Sequence, residues 1–283
     1  MSVHLKMFLR LSFSGCMCLV LTMAASSEAL QNVHGRPSLK IVGGVNTTDA
    51  EFPYLVSIQM NPDFGNRYHY CGGSILNASH VISTASCVEG RLVSQIQVVA
   101  GAHTLQTALA DDPRIQRRNI ASVTLHPQFD PETLQNNIAL LSLSESLQLN
   151  SRIQPILISQ EGKYVGNCTV VGWGSNLTPD GPSPEPQFLL KQNMTIVSLS
   201  TCQSSYEFIY DIVETMICAK GTTEEKTEGP CTGDSGSPLL CTDASNNATV
   251  VAGIFSWSMI PCGDASYPSV YTNITTLTTI NSV

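Results

Sequence analysis

The chain has 283 residues, of which 42% are hydrophobic and 13% are charged, so it is long enough to bury a sizeable core. This composition excludes a disordered or a fibrous protein. The formal net charge of −8 at pH 7 disfavours nucleic acids and anionic membranes as partners.

The N-terminus has the pattern of a secretory signal peptide, which we predict to span residues 1–27. Lys6 and Arg10 form its charged start, and an apolar stretch follows with small residues at 24–26 that offer cleavage points. A membrane anchor is the alternative, but the apolar stretch is short for a membrane span. We therefore predict a secreted, extracellular protein without a membrane contact.

Ten cysteines occur in the chain, and two of them lie in the predicted signal peptide. An even number of remaining cysteines in an exported chain favours disulfides over zinc, and no CxxC pair indicates a metal site. Spacing alone leaves about 105 pairings of eight cysteines open. We predict no metal and no cofactor. The eight are Cys71, Cys87, Cys168, Cys202, Cys218, Cys231, Cys241 and Cys262.

Sequons for N-glycosylation are frequent, which is compatible with an exported glycoprotein. The candidates are Asn46, Asn77, Asn176, Asn193, Asn247 and Asn273. Asn167 also begins a sequon, but Cys168 lies within it, so we leave Asn167 out of the predicted set.

Short β-rich runs bounded by Gly, Pro, Asn and Asp dominate the middle of the chain, as in SQIQVVAGAH and VVAGIFSW. They predict an all-β barrel or sandwich. Residues 177–187 are rich in proline and predict an exposed loop. Residues 273–283 predict a short terminal helix.

Four motifs occur in a specific order along the chain. They are IVGG at 41–44, YCGGSIL followed by ISTASC at 70–87, NNIALLSL at 136–143 and GDSGSP at 233–238. With them, the chain resembles the chymotrypsin/trypsin-like serine proteases from Ile41 essentially to its end. The resemblance implies one domain over 41–283, built of two antiparallel six-stranded β-barrels with a cleft between them and a short C-terminal helix. The boundary between the barrels is expected near Pro155.

The resemblance also implies how the cysteines pair and how the chain is activated. The implied disulfides are Cys71–Cys87, Cys168–Cys241, Cys202–Cys218 and Cys231–Cys262. Lys40–Ile41 resembles the family's activation bond, so residues 28–40 are predicted to be a propeptide of a zymogen. The freed amino group of Ile41 would pair with Asp234, and Ser57 and His69 match the family's zymogen-side partners of that aspartate.

The catalytic positions implied by the resemblance are altered. Ser235 matches the nucleophile, but Ser86 stands where the family has histidine and Asn137 where it has aspartate. A hydroxyl is no base near neutral pH, and an unassisted serine is a poor nucleophile. This degenerate set predicts that the chain is not an enzyme.

The remaining family positions form a scaffold. The backbone N–H groups of Gly233 and Ser235 would make an oxyanion hole. Gly229 matches the floor of the specificity pocket, and Ser258 and Ser269 match wall positions where side chains would narrow it.

Two classes of function follow. The first is a secreted pseudoprotease that acts by protein binding, as a modulator, cofactor or decoy in an extracellular proteolytic or immune pathway. The alternative is a very weak or substrate-assisted hydrolase that uses Ser235. For the first, we expect a basic extracellular protein partner to dock near Glu224, Glu225 and Glu228, in a stretch without sequons.

Overall fold

Runs of valine, isoleucine and leucine form the buried strands of the protein. In the computed structural model, residues 41–61, 67–109, 112–174, 177–178, 181–182, 188–223 and 227–276 are described. Strand β2 (Leu55–Met60), with the sequence LVSIQM, is buried at every position. The strand that carries VVAGIFS is buried through that whole run. Both runs pack on two faces, which is why hydrophobic residues do not alternate with polar ones along them.

The first barrel contains six antiparallel strands in the closed order β2-β3-β4-β7-β6-β5. These strands are β2 (Leu55–Met60), β3 (Tyr68–Asn77), β4 (His80–Ser83), β5 (Ile96–Ala100), β6 (Gln116–Leu125) and β7 (Ala139–Leu143). The short strand β1 (Val45–Asn46) precedes them and pairs with the second barrel.

The second barrel closes through six antiparallel strands in the order β9-β12-β13-β16-β15-β14, because β9 pairs with both β12 and β14. Its strands are β9 (Tyr164–Gly172), β12 (Leu190–Val197), β13 (Met216–Gly221), β14 (Pro238–Asp243), β15 (Thr249–Trp257) and β16 (Ser269–Asn273). Strand β8 (Leu157–Ile158) adds to β15, and β10 (Leu177–Thr178) pairs with β11 (Gly181–Pro182). The prediction of two six-stranded barrels is confirmed.

Helices are few and short in the described residues. Helix α1 spans Leu105–Leu109 and helix α2 spans Leu199–Tyr206, where the Ser198 side chain caps the first turn by accepting from the Thr201 N–H. Three 3₁₀ turns cover Ala85–Cys87, Val93–Gln95 and Ile274–Thr276. The last turn begins the segment predicted to be a terminal helix, and the rest of that segment lies outside the described residues.

Four clusters of buried side chains form the core, and one of them packs helix α2 around Tyr206. One fills the first barrel around Ile58 and another fills the second barrel around Phe255. A third cluster is shared, because Leu55 of β2 and Val99 of β5 pack with Trp173 and Val251 of the second barrel. The two barrels are thereby fixed against one another, with a cleft where their loops meet.

Four disulfides connect neighbouring segments of the barrels. They are Cys71–Cys87, Cys168–Cys241, Cys202–Cys218 and Cys231–Cys262, the pairs that the resemblance implies. Each is expected to stabilise the fold by about 2–4 kcal/mol. Bridges of this number are typical of an oxidising, extracellular environment.

Residues 38–283 form one compact unit. The predicted signal peptide and the whole predicted propeptide, including Lys40, lie outside the described residues. Among the described residues, no helix has the length and apolar character that crossing a membrane requires.

Candidate active site

A cavity of about 330 Å³ opens where the loops of the two barrels meet. The first barrel contributes Tyr70, Ser86 and the Cys71–Cys87 disulfide, and the second contributes Thr232, Gly233, Ser235, Ser256, Trp257, Ser258 and Ile260. The structure thus places Ser86 and Ser235, which are distant in sequence, on the walls of one cavity.

The loop that carries Ser235 is held to both barrels through its backbone. The Gly72 N–H donates to the Ser235 carbonyl at 2.7 Å, and the Gly236 N–H donates to the Phe255 carbonyl at 2.9 Å. Gly236 has a φ of 84°, and a Cβ there would lie 2.3 Å from the Gly72 carbonyl oxygen. Only glycine therefore fits after Ser235, and the nucleophile position is rigid.

Two backbone donors of this loop have no partner in the described part of the chain. They are the N–H groups of Gly233 and Ser235, and both residues line the cavity. The Ser235 hydroxyl donates to the Ser256 carbonyl at 3.5 Å, the upper limit of a hydrogen bond. A carbonyl oxygen bound in this cavity would have two N–H groups beside a serine hydroxyl.

The first barrel supplies a different set of contacts. Asn137 is fully buried just before β7, and its side-chain oxygen accepts from the Ser86 N–H at 2.9 Å. Its side-chain amide donates to the Ser86 hydroxyl at 3.0 Å and to the Ser256 hydroxyl at 2.7 Å. Asn137 thus links Ser86 to Ser256 of β15, as an aspartate would. The side-chain amide of Asn137 donates to both hydroxyls, whereas an ionised aspartate could only accept from them.

None of the four histidines in the described residues lines the cavity. His69 is buried and its ring nitrogens contact the Ser57 hydroxyl at 2.8 Å and the Gly233 carbonyl at 2.9 Å. Burial lowers the pKa of His69 to about 4, which keeps the imidazole neutral near pH 7. His69 therefore supports the Ser235 loop and leaves no ring nitrogen to act as a base for it.

Asp234 lies beneath the same loop and is fully buried. Its carboxylate accepts from the Gly174 N–H at 2.8 Å and the Cys231 N–H at 3.0 Å. Burial raises the pKa of Asp234 to about 7, although the two hydrogen bonds act against that rise. Ile41 is only 3% exposed and packs in the core of the second barrel. Cleavage of the Lys40–Ile41 bond stays a prediction.

The three predicted pocket residues occupy different places. Ser258 lines the cavity, and its hydroxyl donates to the Pro230 carbonyl at 3.4 Å. Gly229 and Ser269 lie behind the cavity wall, where Ser269 is 2% exposed and its hydroxyl lies 3.2 Å from the point that a Cβ of Gly229 would occupy. Narrowing of the cavity thus comes from Ser258, whereas Ser269 fills space below Gly229.

The acidic segment expected to bind a partner is described only in part. Glu228 is 8% exposed, and its carboxylate accepts from the Thr223 N–H at 3.3 Å. It therefore packs inward and does not form an exposed rim. Glu224 and Glu225 lie outside the described residues.

The predicted glycosylation sites differ in exposure. Asn46, Asn193 and Asn247 are exposed. Asn77 and Asn273 are half-buried, and each accepts hydrogen bonds from the hydroxyl residue that completes its own sequon. Asn176 lies outside the described residues.

Sequence reasoning missed one member of the site. Ser256 contributes both the hydroxyl that binds Asn137 and the carbonyl that accepts from Ser235. The signal was present, because Ser256 lies in the run VVAGIFSW, which the sequence analysis used only to predict a strand. The described residues contain no group of three or more His, Cys, Asp or Glu side chains that could hold a metal ion.

Comparison with known proteins places these features in a family. The family model described as Trypsin matches residues 41–280. The chain is 36% identical to Trypsin-1 of Astacus astacus over 83% of the chain and 95% of that protein. It is 33% identical to Serine protease 57 of Mus musculus, over 94% and 88%, and 34% identical to Trypsin of Sus scrofa, over 83% and 91%.

These relatives overturn the prediction that the chain is not an enzyme. They are named trypsins and serine proteases, and identities of 33–36% point to protease activity. The prediction was wrong because it took the residue types of Ser86 and Asn137 as decisive over the retained Ser235 loop. The chain belongs to the trypsin family of serine proteases.

Proposed function

We propose that this protein is a secreted serine hydrolase of extracellular peptides, in which Ser235 is the nucleophile and the substrate supplies the base. The observation that carries the proposal is the cavity that Ser86 and Ser235 line together. Its second-barrel wall offers a hydroxyl and two N–H donors, and its first-barrel wall carries a small serine side chain where the family has an imidazole. A substrate imidazole can occupy the space that the shorter side chain leaves.

The reaction would begin when the Ser235 Oγ attacks the substrate carbonyl carbon while its proton passes to the substrate imidazole. The N–H groups of Gly233 and Ser235 donate hydrogen bonds to the developing oxyanion. The imidazolium then returns the proton to the leaving amine as the C–N bond breaks. Water hydrolyses the acyl-Ser235 bond by the same route in reverse.

A histidine on the acyl side of the cleaved bond suits this scheme best. Such a histidine remains attached to the acyl-enzyme after the amine has left, so it serves as the base in both steps. A histidine on the leaving side departs with the first product, and deacylation then has no base. The proposal therefore predicts that cleavage requires a histidine in the substrate and that this histidine lies on the acyl side of the cleaved bond.

Two further features support an extracellular polypeptide as the substrate. The four disulfides are stable in an oxidising compartment. The net charge of −8 favours the approach of basic polypeptides. In this proposal the basic protein that was expected as a binding partner is the substrate.

The test uses two peptides that differ only in a histidine or glutamine on the acyl side of the cleaved bond. We expect cleavage of the histidine peptide by the wild-type protein and loss of that cleavage in Ser235→Ala. Cleavage that survives in Ser235→Ala would show a contaminating protease and contradict the role of Ser235. Equal cleavage of both peptides would contradict the substrate-supplied base.

A further inference from the structure

A second cavity, of about 380 Å³, lies on the first barrel and is separate from the cavity of Ser235. Three arginines line it, together with the amide side chains of Gln116, Gln148 and Asn150. Arg114 and Arg118 flank the start of β6, and Arg152 follows the loop after β7. Three guanidinium groups around one cavity are unusual in a chain whose net charge is −8.

The carboxylates that pair with two of these arginines face a different space. Arg114 contacts Asp112 at 2.5 Å, and Arg152 forms a two-pronged ion pair with Asp49. Asp49 and Asp112 line a neighbouring cavity of about 240 Å³, which Arg114 and Arg152 also border, and neither aspartate lines the larger cavity. Arg114 and Arg152 thus lie between the smaller cavity, which the two aspartates line, and the larger cavity, which no carboxylate lines.

Arg118 is held in place by neutral acceptors alone in the described part of the chain. Its Nε donates to the Ser146 carbonyl at 3.1 Å, and its two terminal nitrogens donate to the Arg117 carbonyl at 2.8 Å and the Gln116 side chain at 2.9 Å. Gln116 is itself fixed by the backbone of Gln148, to which it donates at 2.8 Å and from which it accepts at 2.8 Å. The charge of Arg118 therefore has no carboxylate partner, although its position is fixed.

All three guanidinium groups keep donors for a ligand. A guanidinium has five N–H groups in a planar fork, and the contacts above use three of them in Arg118 and two in each of Arg114 and Arg152. Such forks match the oxygen atoms of tetrahedral and planar anions. A cavity of this size accommodates a small ligand or one unit of a chain.

We propose that this cavity binds the sulfate groups of a sulfated saccharide. The lining favours a saccharide over an acidic peptide, because the side chains between the arginines are amides and a hydroxyl, which pair with sugar hydroxyls, and Pro113 is the one apolar residue of the lining. An acidic peptide would bring apolar side chains that find no apolar surface here. The site does not depend on Ser235, so it stands or falls separately from the proposed hydrolase.

The experiment measures binding of a short heparin-derived oligosaccharide to the full chain by calorimetry at two salt concentrations. We expect binding that weakens as salt rises, and no binding of the desulfated oligosaccharide. Arg118→Gln should lower the affinity about tenfold. Arg67→Gln is the matched control, because Arg67 is exposed and does not line the cavity, and we expect no change from it.

A second variant keeps the proposal testable if Arg118→Gln unfolds the protein. Gln148→Glu leaves Arg118 and its three acceptors in place but puts a carboxylate into the cavity, and it should abolish binding while the melting temperature stays unchanged. Failure of the sulfated oligosaccharide to bind would overturn the proposal, as would full affinity in both variants. Equal or tighter binding of poly-glutamate would overturn the saccharide and favour an acidic protein segment.

Discussion

The Ser235 loop of the second barrel and the Ser86 segment of the first barrel face the same cavity but are stabilised in different ways. The loop is fixed by backbone hydrogen bonds from Gly72 and to Phe255, and by the buried carboxylate of Asp234. Ser86 in the first barrel is held by one side chain, because Asn137 binds both its backbone N–H and its hydroxyl.

This difference shows which half of a protease site tolerates substitution. The loop geometry is set by glycines and main-chain contacts, so replacing Gly236 would disturb the oxyanion donors and the core together. Residues 86 and 137 exchange side-chain hydrogen bonds at the edge of the cavity, so a serine and an asparagine replace a histidine and an aspartate without disturbing either barrel. The two halves of the site are therefore separable by mutation.

Rebuilding the first-barrel half should give the largest effect. The double variant Ser86→His with Asn137→Asp supplies a base and the acceptor that orients it, and we expect kcat for peptides without histidine to rise by roughly 10²–10⁴-fold. Asn137→Asp alone is the control and should give no gain. Steady-state kinetics on one peptide decides the matter, and an unchanged kcat in the double variant would show that residue 86 does not lie at the base position.

The buried groups under the loop should give opposite dependences of stability on pH. The pKa of Asp234 is raised to about 7, so its contribution is fully present below its unfolded value of 3.8 and is lost as pH rises through 7. The pKa of His69 is lowered to about 4, so its contribution is present above 6.5 and is lost as pH falls through 4. Each effect is about 3–4 kcal/mol by its shift.

Because these effects oppose each other, we expect the wild-type free energy of unfolding to change little between pH 4 and pH 7. Asp234→Asn should become less stable as pH falls, whereas His69→Gln should become less stable as pH rises. Urea unfolding at three pH values gives the slope of the free energy of unfolding against pH. The slopes of the two variants are compared, because each variant is expected to be less stable than the wild type at every pH. Parallel slopes in the two variants would contradict the opposing contributions.

Removing the Asn137 side chain should lower the free energy of unfolding more than removing the Ser86 hydroxyl does. Asn137→Ala leaves the half-buried Ser86 N–H and the buried Ser256 hydroxyl without this partner, which should cost about 1–3 kcal/mol. Ser86→Ala leaves Asn137 bound to Ser256 and the Ser86 backbone, so its cost should stay below about 1 kcal/mol. Denaturant melts of the two variants compare these costs directly, and an equal loss would show that the network does not centre on Asn137.

The smallest expected effect concerns the cavity wall. Ser258→Gly removes a side chain that lines the cavity, so KM for substrates with a bulky side chain at the cleaved bond should fall by roughly three- to tenfold. Ser269→Gly should leave KM unchanged, because Ser269 is buried behind the wall. A fall in KM from Ser269→Gly alone would place the pocket deeper than the structure does.

The fold could be predicted from the sequence because its determinants are local and ordered along the chain. The apolar strand runs predicted an all-β barrel or sandwich. The resemblance carried by the motifs around Ile41 and Ser235 implied the two barrels and the disulfide pairs. Ser256 was missed because its role arises only when β15 passes next to Asn137. The arginine cavity was missed because Arg118 and Arg152 meet through the tertiary fold and belong to no motif.

The prediction that the chain is not an enzyme was wrong for a different reason. Residue types at positions 86 and 137 state which groups are absent from the chain, but they do not state what a substrate can bring into the cavity. Whether Ser235 can form an acyl bond also depends on the backbone donors of Gly233 and Ser235, which the GDSGSP motif indicated.

The most direct test of the account is whether Ser235 is acylated by an activated ester. A nitrophenyl ester has a leaving group that needs no general acid. Attack by the Ser235 Oγ, with its proton passing to a buffer base, therefore expels nitrophenolate and leaves an acyl-enzyme. We expect mass spectrometry to show one acyl group on the peptide that contains Ser235, its absence in Ser235→Ala, and its loss after imidazole is added. No acylation of wild-type protein, or acylation of a residue other than Ser235, would contradict a functional nucleophile in the second barrel.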